Sequence, residues 1–335
     1  MVSKKIKILS ILLLGFLVII AITINSIITP SISWSEPSIL SDENKHSCCP
    51  SAVLDDEGKI WVFWRIKENG KRYIVYRIYT DSWGPIMQLT NHEFDSYGPV
   101  ALNDNSGRIW VFWTSMMVGE YYEHKFYYSI FDGNWSEQME IPVDNPSIFK
   151  LDSAVQDESG NIWVFFQAVI GYARIYYMIY DGTWSEAILI LSYPSSGRIN
   201  EEFPFAILDN SNNIWLFFIS HRNDNVGLYY RILDGNWSES VQIILDSWAL
   251  APSALIDDDG RIYLFWSSRG NIKNQIFYKI FEKGSWGKTI QVARDQFSNY
   301  SPSAVQDESG KIWLFFFSEE GTNSVIRYIV GNNMG

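Results

Sequence analysis

The sequence predicts an all-β fold: a six-bladed β-propeller of four-stranded blades, with an N-terminal strand completing the last blade and one hydrophobic helix ahead of it. Three observations predict it. A turn-and-strand motif returns six times at about 50-residue intervals, and a second turn motif keeps step with it. Aromatic residues make up 16% of the chain, enough to fill the interfaces between sheets.

The first motif reads DDEGKIWVFW, NDNSGRIWVFW, QDESGNIWVFF, LDNSNNIWLFF, DDDGRIYLFW and QDESGKIWLFF, anchored at Trp61, Trp110, Trp163, Trp215, Tyr263 and Trp313. The second reads TDSWGP, FDGNWSE, YDGTWSE, LDGNWSE and KGSWGK, around Trp83, Trp135, Trp184, Trp237 and Trp286. Its sixth copy stands at the other end of the chain. Ser33-Trp34-Ser35-Glu36-Pro37 repeats it, and Trp34 lies 49 residues before Trp83. The last repeat stops after VIRYIV, where the others run on into the Trp turn. The N-terminal segment therefore supplies the outer strand of the final blade, an overlap that closes a ring and leaves no open sheet edge.

Each unit reads as four short strands. The first, PSAVLD or SAVQD, is opened by Pro in most copies. A Gly- or Asn-containing turn leads to the second, I-W-V-F-W, whose β-branched and aromatic residues suit a buried pleated surface. A variable connection precedes the third, such as RIYYMIY, and an Asp-Gly turn leads into the fourth, such as WSEAILIL. Strands one and two are continuously apolar, as expected where neighbouring blades cover both faces of a sheet.

Residues 30–335 form the propeller, and residues 1–29 are read as a signal anchor or signal peptide. Lys4, Lys5 and Lys7 precede an apolar run from Ile8 to Ile24, long enough for about 25 Å of helix. The lysines should stay cytoplasmic and the remainder should face outward. No small-x-small cleavage site ends the run, which favours a retained anchor. The expected location is a cell membrane with an extracytoplasmic propeller, or the exterior if the segment is cleaved.

A formal net charge of −12 disfavours a nucleic-acid partner, because phosphates would be repelled. No GxGxxG, P-loop or GxSxG pattern supports nucleotide chemistry or serine hydrolysis. His46, His92, His124 and His221 form no HExxH or close pair, so no metal-ligand set and no cofactor is read. Cys48 and Cys49 are adjacent. In an extended strand their side chains would point apart, which leaves two structural thiols, an intermolecular bridge or a vicinal disulfide open. Asn134, Asn236 and Asn299 begin glycosylation sequons.

The one-to-two and three-to-four turns are short and regular, so their face reads as scaffold. The two-to-three connections and the crossings between blades vary, and such segments place binding residues on a rigid frame. Repeat alignment puts Asp95, Asp152, Glu201 and Glu202 near the channel mouth on that face, with Tyr97, Trp248 and Tyr300. His124, His221 and Arg222 fall in its connections. These are candidate ligand-binding residues, and none is assigned a catalytic role. Paired carboxylates there could cleave glycosides or hold Ca²⁺, whereas solvated loop acids are the plainer reading.

The repeats resemble those of sialidase-like propellers with Asp-box (BNR-type) repeats, over nearly all of residues 32–335. The box, Ser-x-Asp-x-Gly-x-x-Trp, keeps its tail in Asp56-Glu57-Gly58-Lys59-Ile60-Trp61 and in Asp258-Asp259-Gly260 leading to Tyr263. The family places this box between strands three and four, and here it reads as the one-to-two turn. A true sialidase would add an arginine triad, an Asp acid and a Tyr/Glu nucleophile pair. No Arg-Ile-Pro stands near the first blade, and Arg198-Ile199-Asn200 is a poor substitute. The expected function is therefore a non-catalytic glycan- or protein-binding module working through its loop-rich face. The alternative is a carbohydrate-active enzyme, hydrolase or lyase, with a carboxylate site at the channel mouth.

Overall fold

Apolar strands separated by Asp- and Gly-centred turns fold into six antiparallel sheets. The computed structural model describes residues 32–91, 94–118, 122–143, 148–190, 199–222, 225–292 and 296–333. The apolar run at Ile8–Ile24, His92 and Arg198 lie outside them. Among the described residues no helix is long and apolar enough to cross a membrane.

The inner strands are His46–Leu54, Asp95–Asn103, Ile148–Gln156, Ile199–Leu208, Leu250–Ile256 and Ser298–Gln306. Each touches the inner strands on either side, and Ser298–Gln306 returns to His46–Leu54, so the sheets form a ring of six blades. Within a blade the order from the axis outward is sequential. Blade one, for example, runs from His46–Leu54 through Ile60–Glu68 and Lys71–Tyr79 to Met87–Gln88. Outer strands are short, and in blades two, four, five and six they break into two pieces.

Trp34–Asn332 form one compact unit, and its blade six is closed by the N-terminal segment. Ser38 pairs with Tyr328 and Ile39 with Arg327. The Ser35 amide donates to the Val330 carbonyl at 2.9 Å, while the Ser35 hydroxyl accepts from the Val330 amide at 3.0 Å. Ser136, Ser185 and Ser238 accept the same third-strand amide in their own blades, from Ile130, Ile179 and Ile232. Ser35 thus does for blade six what its repeats do elsewhere.

The outer-strand tryptophans lock successive blades. Trp135 meets Phe63 of blade one edge-on at 6.0 Å, Trp184 meets Phe112, Trp237 meets Phe165, Trp286 meets Phe217 and Trp83 meets Phe315. Trp34 completes the set against Phe265 and Tyr278 of blade five, at 6.2 and 6.3 Å. These edge-to-face contacts satisfy the ring quadrupoles while burying large apolar area.

The one-to-two turns share one device. Asp55, Asp104, Asp157, Asp209 and Asp307 each accept the indole N–H of the aromatic anchor six residues on, at 2.7–2.9 Å. Their other carboxylate oxygen accepts backbone N–H groups across the turn. In blade five Tyr263 replaces the indole, and Arg261 bonds Asp257 at 2.7 Å instead. The carboxylate that holds the anchor is therefore the residue before Asp56 or Asp258, and it recurs in every repeat. Burial pushes the carboxyls of Asp104, Asp157, Asp209 and Asp307 up, but the bonds from side chains and turn amides outweigh it and hold them below the usual carboxylate range. The unfolded chain then binds more protons as acid is added, so the stability these turns supply is present above about pH 4 and falls as pH drops through the folded values. Thermal melting between neutral and acidic pH should show this loss, and Asp104→Asn should reduce it by about one turn's share while the other three carboxyls keep theirs.

Candidate functional site

Every inner strand carries a bulge partway along, where its register with strand two slips. In five blades the bulged residue is left-handed: Cys49, Gly98, Phe203, Ala251 and Ser301 have φ between 46° and 60°. Each is followed by proline, which has no N–H to give to the ladder and so favours a break there. Four of the five carry a Cβ in this costly conformation, and such strain persists only where the surrounding fold imposes it. The bulges turn inward onto the axis. Together they line a central cavity of about 140 Å³ to which all six blades contribute.

Blade three departs from the pattern, since Asp152 stands in the proline column. Lys150 and Asp152 are the charged side chains among the described residues that line the cavity. Asp152 accepts from Lys150 Nζ and from Gln167 Nε2, both at 2.6 Å. The lysine ammonium also lies 5.9 Å from the Phe203 ring centroid. It fits because blade two carries Gly98: a Cβ there would come within 3.0 Å of Lys150 Cε. Burial pushes the Lys150 ammonium down, but Asp152 and Cys49 outweigh it and hold it above its ordinary value. Burial also pushes the Asp152 carboxyl up against the pull of Lys150 and Gln167.

Two of the other acids predicted at the mouth, Asp95 and Glu201, are held by arginines. Asp95 accepts from the Arg72 amide at 3.0 Å and from its guanidinium at 2.6 Å. Glu201 is 1% exposed and faces Arg222 at 3.1 Å and Arg231 at 3.5 Å. Glu202 faces outward to His221 at 3.8 Å. Arg222 also lies over the Tyr229 ring at 4.6 Å and bonds Ser220 and Ser240. The structure therefore brings acids and bases together as ion pairs within or between neighbouring strands. Of the four acids, only Asp152 lines the cavity.

The aromatic candidates occupy separate stations on the same face. Tyr97, His124 and Phe149 form an edge-to-face cluster between blades two and three, with centroids 6.5 and 5.9 Å apart, and Phe149 is 53% exposed. Burial and Asp95 push the Tyr97 hydroxyl up to about 12. Trp248 is 54% exposed, with the Arg269 guanidinium 4.9 Å from its ring. Tyr300 stacks on Phe317 at 5.1 Å and bonds Asn274 and Glu319. The face is less loop-rich than the sequence suggested. Strands two and three extend to it as hairpins, and His124 and His221 pair within those ladders with Met116 and Val226. Among the described residues no cluster of three acidic, His or Cys side chains could hold a metal ion. Asn299 is buried and accepts from Ser318 at 2.6 Å, so its sequon is closed to modification in the folded state.

Lys150, Gln167, Arg72 and Arg231 were not singled out in the sequence. The signal available for the first two was the lone break in the proline column at Asp152.

No family model matches the chain, and no curated protein matches it in sequence. Solved structures do. A crystal structure of a protein of unknown function from Dyadobacter fermentans superposes with a TM-score of 0.75 at 15% identity, covering 91% of this chain and all of that one. The NanB sialidase from Streptococcus pneumoniae gives 0.63 at 10% identity, over 91% of this chain and 70% of the other. An ulvan lyase of a polysaccharide lyase family gives 0.57 at 11% identity, over 87% and 83%. The neighbours include sialidase-type six-bladed propellers, and this chain shares their fold.

Proposed function

We propose that this propeller binds a glycan, without cleaving it, on the face where its inner strands begin. The observation that carries the reading is the set of aromatic stations around the axis, Tyr97–His124–Phe149, Trp248–Arg269 and Tyr300–Phe317, of which Phe149 and Trp248 are exposed and the Tyr300–Phe317 stack is half-buried. An aromatic face carries negative charge and attracts the polarised C–H groups on the apolar side of a sugar ring. Stations on several blades would engage successive units of one chain. Neighbours named as a sialidase and a polysaccharide lyase add support by likeness of fold. Cleavage would call for two carboxyl groups facing each other across open space, one of them free to act as acid. Asp152, Asp95 and Glu201 are each tied to a cation instead. The apolar Ile8–Ile24 run would hold the propeller at a membrane with this face turned outward, since the closing strand starts on the opposite face.

The test is to present the full chain to a panel of immobilised glycans and to analyse the solution for products. Retention without product is expected. Trp248→Ala should weaken it about three- to tenfold, the worth of one aromatic contact, without lowering the melting temperature. Released product would make the chain an enzyme, and retention of proteins but no glycan would overturn the ligand class.

A further inference from the structure

The channel contains one reactive group that glycan binding does not use. Cys48 and Cys49 sit at the blade-one bulge, where the register slips between Cys48 and Ser51. In a regular strand their side chains would point to opposite faces. The left-handed Cys49, at φ 60°, breaks that alternation, and the two thiols share a hydrogen bond. The bulge is not peculiar to the cysteines. Gly98, Phe203, Ala251 and Ser301 adopt the same conformation in blades that have none, so the fold imposes a preformed vicinal dithiol in blade one. Cys48 is 4% exposed, whereas Cys49 is partly exposed and lines the cavity.

We propose that Cys48 and Cys49 form an exchange centre that closes reversibly to a vicinal disulfide on reaction with a low-molecular-weight disulfide entering the channel. The cavity, about 140 Å³, limits the co-substrate to a small molecule. Cys49 is the attacking group. It is the thiol that lines the cavity, and the hydrogen bond from Cys48 pulls it down against burial, with Arg65 and Lys150 adding to the pull and Asp152 opposing it. The same hydrogen bond and burial push the Cys48 thiol up, so it keeps its proton until the second step.

In the first step the Cys49 thiolate forms a bond to one sulfur of the small disulfide, whose S–S bond breaks and releases one thiolate. In the second, Cys48 gives its proton to that thiolate and attacks the Cys49 sulfur, expelling the other half, which takes a proton from water. Two protein thiols are oxidised and one disulfide is reduced to two thiols. Neighbouring Cα atoms are 3.8 Å apart, below the usual disulfide range of about 4.4–6.8 Å. The closed ring is therefore strained and easily reduced, which suits a reversible centre.

The test uses the full chain, hydroxyethyl disulfide and iodoacetamide, read by intact mass and non-reducing electrophoresis. The native protein should become a monomer lighter by two hydrogens, with neither cysteine alkylated, and excess monothiol should restore it. Cys48→Ser should stop at the mixed disulfide, and Cys49→Ser should form none. One equivalent of phenylarsine oxide, which bridges two thiols on one side, should bind the native protein and neither variant. A persistent mixed disulfide in the native protein, a disulfide-linked dimer, or reaction only after unfolding would overturn the proposal. Failure to bind the arsenical would do the same.

Discussion

Replacing Trp34 with alanine is expected to destabilise the propeller by about 3 kcal/mol, the lower end of the range for a large aromatic lost from a packed site. Trp34 is partly exposed, which sets the lower end, but among the described residues it is the outer-strand tryptophan that meets Phe265 and Tyr278 of blade five. For a domain of this size the loss corresponds to a fall of roughly 5 °C in melting temperature. Deleting Trp34–Ser41 should act far more strongly. It removes the buried Leu40, the Ser35 and Ser41 bonds to Val330 and Ile326, and the carbonyl that accepts from Arg77 at 2.8 Å. It also exposes the edge of Asn323–Asn333, a template for pairing with other chains. The expected product is aggregated or unfolded. A soluble truncation with an unchanged melting curve would show that the ring does not depend on this closure.

Glu201→Ala is expected to cost about 3–5 kcal/mol, because it leaves a buried cation without its counter-charge. Glu201 is 1% exposed and Arg231 3%, and Arg231 would remain packed against the Phe218 ring after losing its buried counter-charge. Glu201→Gln keeps an acceptor and should recover part of the loss. Replacing Glu201 and Arg231 together with Met should cost much less than Glu201→Ala alone, since a buried ion pair contributes little net stability over an apolar one. Denaturant melts of the three variants measure this directly. If Glu201 were instead a group poised for chemistry, Glu201→Gln would leave stability unchanged and abolish turnover of a glycan.

Blade number and ring closure were legible because they rest on tryptophans repeated at a fixed interval, and the fold has one way to bury such a series. The turn device was legible only in part. The family box points to Asp56, whereas the residue bonded to Trp61 is Asp55, whose equivalent stands six positions before the aromatic anchor in all six blades. The acids near the mouth could be placed by repeat alignment, but their partners could not. Arg231 reaches Glu201 from a strand 30 residues away, and a sequence pattern carries no information about which side chains meet across a sheet. The connections after strand two look like loops by their variable, polar sequence. Tyr122, His124 and Asn225 instead continue the ladders, because cross-strand hydrogen bonding satisfies their backbone whatever the side chain. The dithiol was obscured by the assumption of an extended strand. A proline straight after Cys49, in register with prolines in four other blades, was the mark of the bulge.

The most direct measurement is a crystal structure of the full chain with an oligosaccharide selected from the glycan panel. Uncleaved sugar is predicted across the face where the inner strands begin, stacked on Trp248 or Phe149 and touching residues of at least two blades. Sugar bound at the Asp-turn face, or a cleaved product lying against Asp152, would contradict it.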